Sequence, residues 1–447
     1  MPKMNLQDAS FLSLESDLTP LHITMLMTFR LPKGAHRNYI GQLRAHLLDF
    51  PVHAEPFNYK LAPAPSAARL PSWEIDDAVD LDYHLRHHLL ARPGGERELG
   101  ALVSQLHSEP LDQARPLWEF HLIEGLAVRR FALCLKIHHA LADGMSLMHI
   151  IERMLAKTAR GKGRPPWAAV PVNKEPTAAS GSKLEEWRPL FESMLQGAGK
   201  RGTRKAPPLP RGPRSMLNGS ITGQRRFATQ RLPLARVKAV ATAADATVND
   251  VVLAICSGAL RAYLEEHDTL PDRALVAGIP ISLPRDESRA AGNSVGGLVV
   301  SIASDIADPR RRLEAIREST RDAKTRNRLI PVSINRTIAA IGNYLMSVRP
   351  RDSSEAMADR TRVLNLVISN VPGPAKPRYM YGALLEGIYP ASVLMLDQRL
   401  NITLLSCRGD LNFGLIGCPD RLPHLQRIAV LIPEAMQELE QAYDIAG

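Results

Sequence analysis

The chain has 447 residues, 45% of them hydrophobic, and a formal net charge of +10, which is long and apolar enough for a large core spread over two or three domains. Its four cysteines, Cys134, Cys256, Cys407 and Cys418, are widely spaced and form no C-x-x-C pair, so a disulfide framework is not expected and a reduced, cytoplasmic compartment fits better. Residues 1–8 lack the basic and apolar regions of a signal peptide, and no run approaches the roughly 18 apolar residues of a membrane span, so any membrane contact is expected to be peripheral.

In chain order, residues 21–29 read as a strand with two largely apolar faces, and residues 38–48 have helical spacing. Residues 98–107 predict a helix with Leu99, Leu102, Val103 and Leu106 along one side. Residues 118–123, entered through Pro116-Leu117-Trp118, predict a short strand paired with 131–137 through a turn at Gly125-Leu126-Ala127. A tryptophan behind a proline is first of all a packing residue. In the second strand Phe131, Leu133, Leu135 and Ile137 share one face by period-two alternation.

Directly behind that strand stands His138-His139-Ala140-Leu141-Ala142-Asp143-Gly144. Continued alternation turns His139 toward the apolar side and His138 to the opposite one. An imidazole at the edge of an apolar interior suits removal of a proton from an alcohol, because its ordinary pKa is near neutral and burial favours the basic form. A hydrogen-bonded core histidine is the competing reading. Asp143 is expected to organise the loop and not to carry a proton, and Gly144 to permit a turn or a close backbone approach. The pair His87-His88 lacks a following Asp-Gly and reads as surface or packing. Without an H-E-x-x-H spacing, no metal site is expected. Residues 145–155 continue as an amphipathic helix.

Residues 151–230 hold 16 Lys/Arg against 5 Asp/Glu, a net of +11 (16 − 5), together with nine prolines. The Pro, Gly and basic content from 161 to 225 marks an interdomain crossing, which divides the chain into 1–160, 161–225 and 226–447. Within it Leu184, Trp187, Phe191, Met194 and Leu195 share one helical face, suited to packing between the halves or to a membrane interface. No nucleic-acid motif and no interleaved aromatic residues accompany the charge, so no nucleic-acid partner is expected. A solvated linker, an anionic membrane surface and an anionic, nucleotide-bearing ligand each account for it.

The second half restarts with a helix at 234–244. Thr247 reads as the N-cap of an apolar helix at 251–264, with Asn249 and Asp250 in the first turn. Strands are expected at 276–281, 297–302, 364–369 and 401–406, and helices at 309–326 and 423–442. Both halves therefore read as mixed sheets with helices on their faces, an α/β chain. Gly292-Asn293 and Pro372-Gly373-Pro374 are turn chemistry.

Taken together, several stretches resemble one family. They are Asp8, Phe11, Leu12, Glu15, Pro20, Leu21 and His22; Pro116-Leu117-Trp118-Glu119; the H-H-x-x-x-D-G box; Thr247-Val248-Asn249-Asp250-Val251-Val252; Gly292-Asn293; and Ser369-Asn370-Val371-Pro372-Gly373-Pro374. The chain resembles the bacterial wax ester synthase/acyl-CoA:diacylglycerol acyltransferases, within the coenzyme A-dependent acyltransferase superfamily. The box alone is shared with peptide-synthetase condensation domains and chloramphenicol acetyltransferase relatives; its combination with the P-L-W and Asn-Asp stretches is more specific. The resemblance implies two chloramphenicol acetyltransferase-like mixed-sheet subdomains with a tunnel between them. It implies that His139 deprotonates a fatty alcohol or diacylglycerol hydroxyl, which attacks the thioester of acyl-CoA directly, without an acyl-enzyme. Acyl-CoA is then a substrate, and no cofactor is expected.

His138, Asp143 and Asn249 complete the implied catalytic set, with Asn249 as an oxyanion donor or, alternatively, a helix cap. Gly144, Pro116, Leu117, Trp118, Asp250, Gly292 and Asn293 are implied near the substrates. The expected location is cytoplasmic, peripheral to the inner membrane or on lipid droplets, and a homodimer stays open. Two alternatives are a condensation-type acyltransferase with a carrier-bound donor and a non-catalytic lipid-surface protein.

Overall fold

A computed structural model describes residue 4 and residues 6–63, 71–169, 209–282, 295–328, 364–395 and 397–445. The first part comprises α1 (Leu6–Leu14), β1 (His22–Arg30), α2 (Tyr39–Leu48), β2 (Tyr59–Leu61), β3 (Trp73–Ile75), α3 (Leu81–His84), β4 (Leu85–Leu89), α4 (Glu96–Ser108), β5 (Trp118–Leu126), β6 (Arg130–His138) and α5 (Gly144–Met154). After the crossing come β7 (Arg226–Pro233), α6 (Leu234–Ala243), α7 (Val248–Glu265), β8 (Val276–Ser282), β9 (Val295–Ser301) and α8 (Pro309–Arg328). The chain closes with β10 (Leu366–Val371), β11 (Tyr379–Met380), β12 (Ala383–Ala391), β13 (Leu400–Cys407), β14 (Asp410–Gly417) and α9 (Leu425–Ala442).

These strands build two six-stranded mixed sheets, in the orders β11-β12-β1-β6-β5-β4 and β7-β14-β13-β10-β8-β9. The first is antiparallel apart from the β4–β5 pair, and the second has a parallel centre in β13-β10-β8. Strand β12 pairs with β1. Residues 379–391 thus join the first sheet, although in chain order they fall in the 226–447 segment. A strand pairing across more than 350 residues leaves no trace in local periodicity.

Each sheet has its own core. Phe29, Phe131, Leu133, Leu135 and Ile137 anchor the first, as alternation predicts. The second packs around α7, whose residues from Asp250 to Leu260 are all buried because sheet, α8 and α9 enclose it on every side. A third cluster, including Leu26, Cys134, Phe227 and Ile416, joins the back of the first sheet to the second. Among the described residues no single helix is long and apolar enough to cross a membrane.

The β5–β6 hairpin differs from expectation. Both strands run further, and the turn is Ala127-Val128-Arg129, with φ of 58° at Val128 and 53° at Arg129. Gly125 instead occupies a bulge, where the register shifts between Ile123 and Leu126 and its own φ is 89°. The helix inferred from Leu184 to Leu195 lies outside the described residues, as do Gly292 and Asn293.

Candidate active site

Strand β6 ends at His138, and the backbone holds the following loop from both flanks. The His138 amide donates to the Leu117 carbonyl and the His139 amide to the Leu21 carbonyl, each at 2.9 Å. The two imidazoles then part, as alternation requires. His139 is partly exposed and lies flat on Phe11 of α1, with ring centroids 4.2 Å apart and planes 17° apart. His138 is fully buried on the other face. Its Nδ1 accepts the Ala140 amide at 3.1 Å, so its ring proton sits on Nε2, 3.4 Å from Glu15 Oε2. Fully buried and held through Nδ1 beside the Glu15 carboxylate, His138 is a positioning residue.

Burial by itself would raise the Glu15 carboxyl. The His138 ring, the Leu21 amide (3.1 Å) and the Gln113 amide (2.9 Å) outweigh it and hold the group below its ordinary value. Phe11 and Glu15 stood among the family-like residues with no role attached. Only the fold shows that one segment, α1 and its continuation, supports both histidines.

Asp143 is the N-cap of α5. Its Oδ1 accepts from the Ser146 amide at 2.7 Å and the Ser146 hydroxyl at 2.6 Å. Gly144 needs no unusual backbone conformation, and a Cβ placed there would meet Val371 Cγ2 at an ordinary 3.7 Å. The expectation of a glycine-dependent turn at that position is therefore not met. The same contact brings the start of α5 to the end of β10 in the second sheet. Past that end, Gly373 does have a steric reason: a Cβ would stand 2.3 Å from Leu405 Cδ2 and 2.4 Å from the Ser406 carbonyl.

On α7 the capping work is divided between Thr247 and Asp250. The Thr247 hydroxyl accepts from the Asp250 amide at 3.2 Å, and Asp250 Oδ2 accepts from the Thr247 amide at 3.0 Å and its hydroxyl at 2.6 Å. Asn249 takes no part in the cap and has no hydrogen-bond partner among the described residues, while remaining partly exposed. The cap alternative for Asn249 is thereby replaced by Thr247.

The P-L-W stretch serves packing, as a tryptophan behind a proline suggests. Pro116, Leu117 and Trp118 are all buried. The Trp118 indole donates to the Phe57 carbonyl at 2.7 Å and stacks on His84 and Trp167 at centroid distances of 4.2 and 5.3 Å. These residues pack the first core.

The back of β6 is polar yet buried. Lys136 donates to the Glu109 carbonyl at 2.6 Å and lies 3.3 Å from Glu119 Oε2, whose other oxygen is 2.8 Å from Arg86. Burial works against the Glu119 carboxylate, but His121, Lys136 and Arg86 prevail and hold its pKa at about 2. Beside it, His107 of α4 bonds the Thr24 hydroxyl at 2.9 Å and the Ser392 carbonyl at 3.1 Å. Burial, then the charge of Arg225, pushes His107 down to about 3. Among the described residues no cluster of His, Cys, Asp and Glu could hold a metal ion.

Residues 4–252 match the family model described as the wax ester synthase/diacylglycerol acyltransferase catalytic domain, and residues 291–440 match that of the C-terminal domain of the same enzymes. The chain belongs to this family. It is an acyltransferase. A Mycobacterium tuberculosis protein bearing a diacylglycerol O-acyltransferase name is 39% identical over 444 residues, covering 97% of this chain and 98% of that one. The O-acyltransferase WSD of Acinetobacter baylyi is 36% identical over 97% of this chain and 96% of its own length. The solved wax ester synthase/diacylglycerol acyltransferase of Marinobacter aquaeolei VT8 superposes with a TM-score of 0.81 at 36% identity, over 99% of this chain and 100% of that one. The first condensation domain of the CDA synthetase shares the fold at 16% identity, with a TM-score of 0.56, over 100% of this chain and 96% of that one.

Gly292-Asn293-Ser294-Val295-Gly296 spells G-x-S-x-G, a string associated with serine nucleophiles. Residues 292–294 lie outside the described residues; Val295 and Gly296 begin strand β9, where a nucleophile elbow would have entered a helix.

Proposed function

We propose that the chain transfers a fatty acyl group from acyl-CoA to the hydroxyl of a long-chain alcohol or of diacylglycerol, with His139 as the general base. The carrying observation is the division of labour at the end of β6: His138 is fully buried and held through Nδ1 by the Ala140 amide, while His139 is held flat on Phe11 and stays partly exposed. His139 removes the hydroxyl proton as the oxygen attacks the thioester carbonyl. Collapse of the tetrahedral intermediate releases coenzyme A, whose sulfur takes the proton back from the imidazolium. The amide of Asn249, without a hydrogen-bond partner among the described residues, is assigned to the oxyanion, a role typically worth about 3–4 kcal/mol. Asp143 acts through the helix start it caps. A tunnel between the sheets would bring the two substrates together, and attachment to the lipid that supplies the acceptor is peripheral.

The test uses purified protein with palmitoyl-CoA and either hexadecanol or a diacylglycerol, read by thiol release and lipid chromatography. Ester should form without any carrier protein, which separates this reading from a condensation-type enzyme. His139→Ala should lower turnover by about 10²–10⁴-fold. A variant keeping more than about a tenth of the rate would remove His139 from the base role.

A further inference from the structure

The two most exposed large apolar side chains among the described residues are Val128 at 75% and Leu89 at 74%; the next, Leu209, is at 52%. They are not scattered. Both stand at the end of the first sheet away from His138, where three loops are tied together. Leu89 ends β4, and its Cδ1 reaches within 3.2 Å of where a Cβ on Gly125 would sit. The Ala127 amide donates to the Gly94 carbonyl at 2.8 Å, joining the 90–95 loop to the hairpin turn. The Leu31 amide donates to the Arg129 carbonyl at 2.9 Å, and the Arg129 guanidinium to the Pro32 carbonyl at 3.2 Å, which brings in the loop after β1. Ala91 and Pro93 in the middle loop are exposed as well. Val128 holds a φ of 58°, a left-handed conformation that a β-branched residue rarely adopts, at a turn that leaves its side chain in solvent.

The charges around this apolar centre are unbalanced. Of the nearby acids, Glu96 pairs with Arg130 at 3.1 Å and Glu386 with Arg30 at 2.6 Å; Glu98, which accepts the Gly95 amide at 2.8 Å, and Glu124, 3.3 Å from His87, keep their charge but are outnumbered by the surrounding cations. Lys33, Arg37, Arg92 and Arg97 are exposed and have no hydrogen-bond or ion-pair partner among the described residues. Arg129 bonds only a carbonyl. Solvent-facing aliphatic side chains ringed by unneutralised cations fit the boundary between acyl chains and anionic headgroups. A nucleic acid would satisfy the cations and leave Leu89 and Val128 unburied.

We propose that this end of the first sheet is a docking tip for an anionic lipid surface, inserting Leu89 and Val128 between the acyl chains while Lys33, Arg37, Arg92, Arg97 and Arg129 meet the headgroups. The choice of a lipid as occupant rests on the acyltransfer reading; the geometry of the tip does not. The full-length protein is tested by cosedimentation with phosphatidylcholine vesicles, with and without phosphatidylglycerol. Wild type should bind the anionic vesicles preferentially. The double variant Leu89→Asp/Val128→Asp should bind them at least about tenfold more weakly, while turning over dispersed short-chain substrates at the wild-type rate. In Val128→Trp the added fluorescence should shift to the blue and be quenched by brominated lipid. Unchanged vesicle binding by the double variant would overturn the proposal and assign attachment to the basic crossing. Equal binding to neutral vesicles, or none to either kind, would also overturn it. Vesicle binding intact in a protein that makes no ester would instead refute the acyltransfer reading and leave the tip standing.

Discussion

Mild acid should destabilise this protein, and His107 allows the effect to be sized. Its ring is 3% exposed between β1 and the start of the 392–395 segment, and burial followed by the Arg225 charge lowers its pKa to about 3. An unfolded histidine titrates near 6.5. As pH falls, the unfolded chain takes up the proton first, so stability present above pH 6.5 drains away between there and about 3. At about pH 5 the loss is roughly 1.5 pH units at 1.36 kcal/mol each, or about 2 kcal/mol. His88, lowered to about 4 by burial and by His121, adds about as much again, and a typical domain has only about 5–15 kcal/mol to lose. His107→Gln retains an amide donor for the Ser392 carbonyl but cannot titrate. Urea unfolding of both proteins between about pH 7.5 and about pH 5 should show the wild type losing about 2 kcal/mol more than the variant. Parallel stability–pH curves would refute the reasoning, whatever the variant's stability at neutral pH.

Two substitutions probe the histidine loop. Phe11→Leu removes the ring under His139, a contact that favours the imidazolium by about 0.5–2 kcal/mol; kcat should fall several-fold, the acid limb of the pH–rate profile should move to lower pH, and Phe11→Tyr should restore both. An unshifted profile would reduce Phe11 to packing. Asp143→Ala should cost about 1–2 kcal/mol in urea unfolding through loss of the α5 cap, whereas Asp143→Asn, which keeps an acceptor, should be stable and largely active. A stable but inactive Asn variant would show that the carboxylate charge acts directly.

Much of this arrangement was legible in single stretches of chain. Alternation in 131–137 placed the core face of β6 correctly, and it sent the two histidines to opposite sides. Thr247 announced the start of α7. Other features depend on chain segments far apart. Nothing in the alternation of 131–137 shows what lies on the other face, where Lys136 is buried with Glu109 and Glu119 as partners. Gly125 looked like a turn because glycine serves bulges and turns alike, and only strand register distinguishes them. The entry of β12 into the first sheet depends on pairing with β1, and the burial of Trp118 on contacts with Phe57, His84 and Trp167, none of which a local pattern can encode.

The two faces of β6 also explain why the adjacent histidines of the box are not interchangeable. A period of two forces their side chains apart, so any environment built for one is denied to the other. On the back face lie Glu15, Lys136 and the buried polar layer, where the Ala140 amide fixes Nδ1 and Glu15 lies 3.4 Å from Nε2. On the front face an aromatic ring from α1 holds the imidazole flat without consuming its nitrogens in that contact. The same helical segment supplies both partners, so a displacement of α1 would loosen the support of both rings at once. A base that must protonate and deprotonate in every cycle requires the front position. The back position instead holds a fully buried ring that fixes the loop through the Ala140 amide.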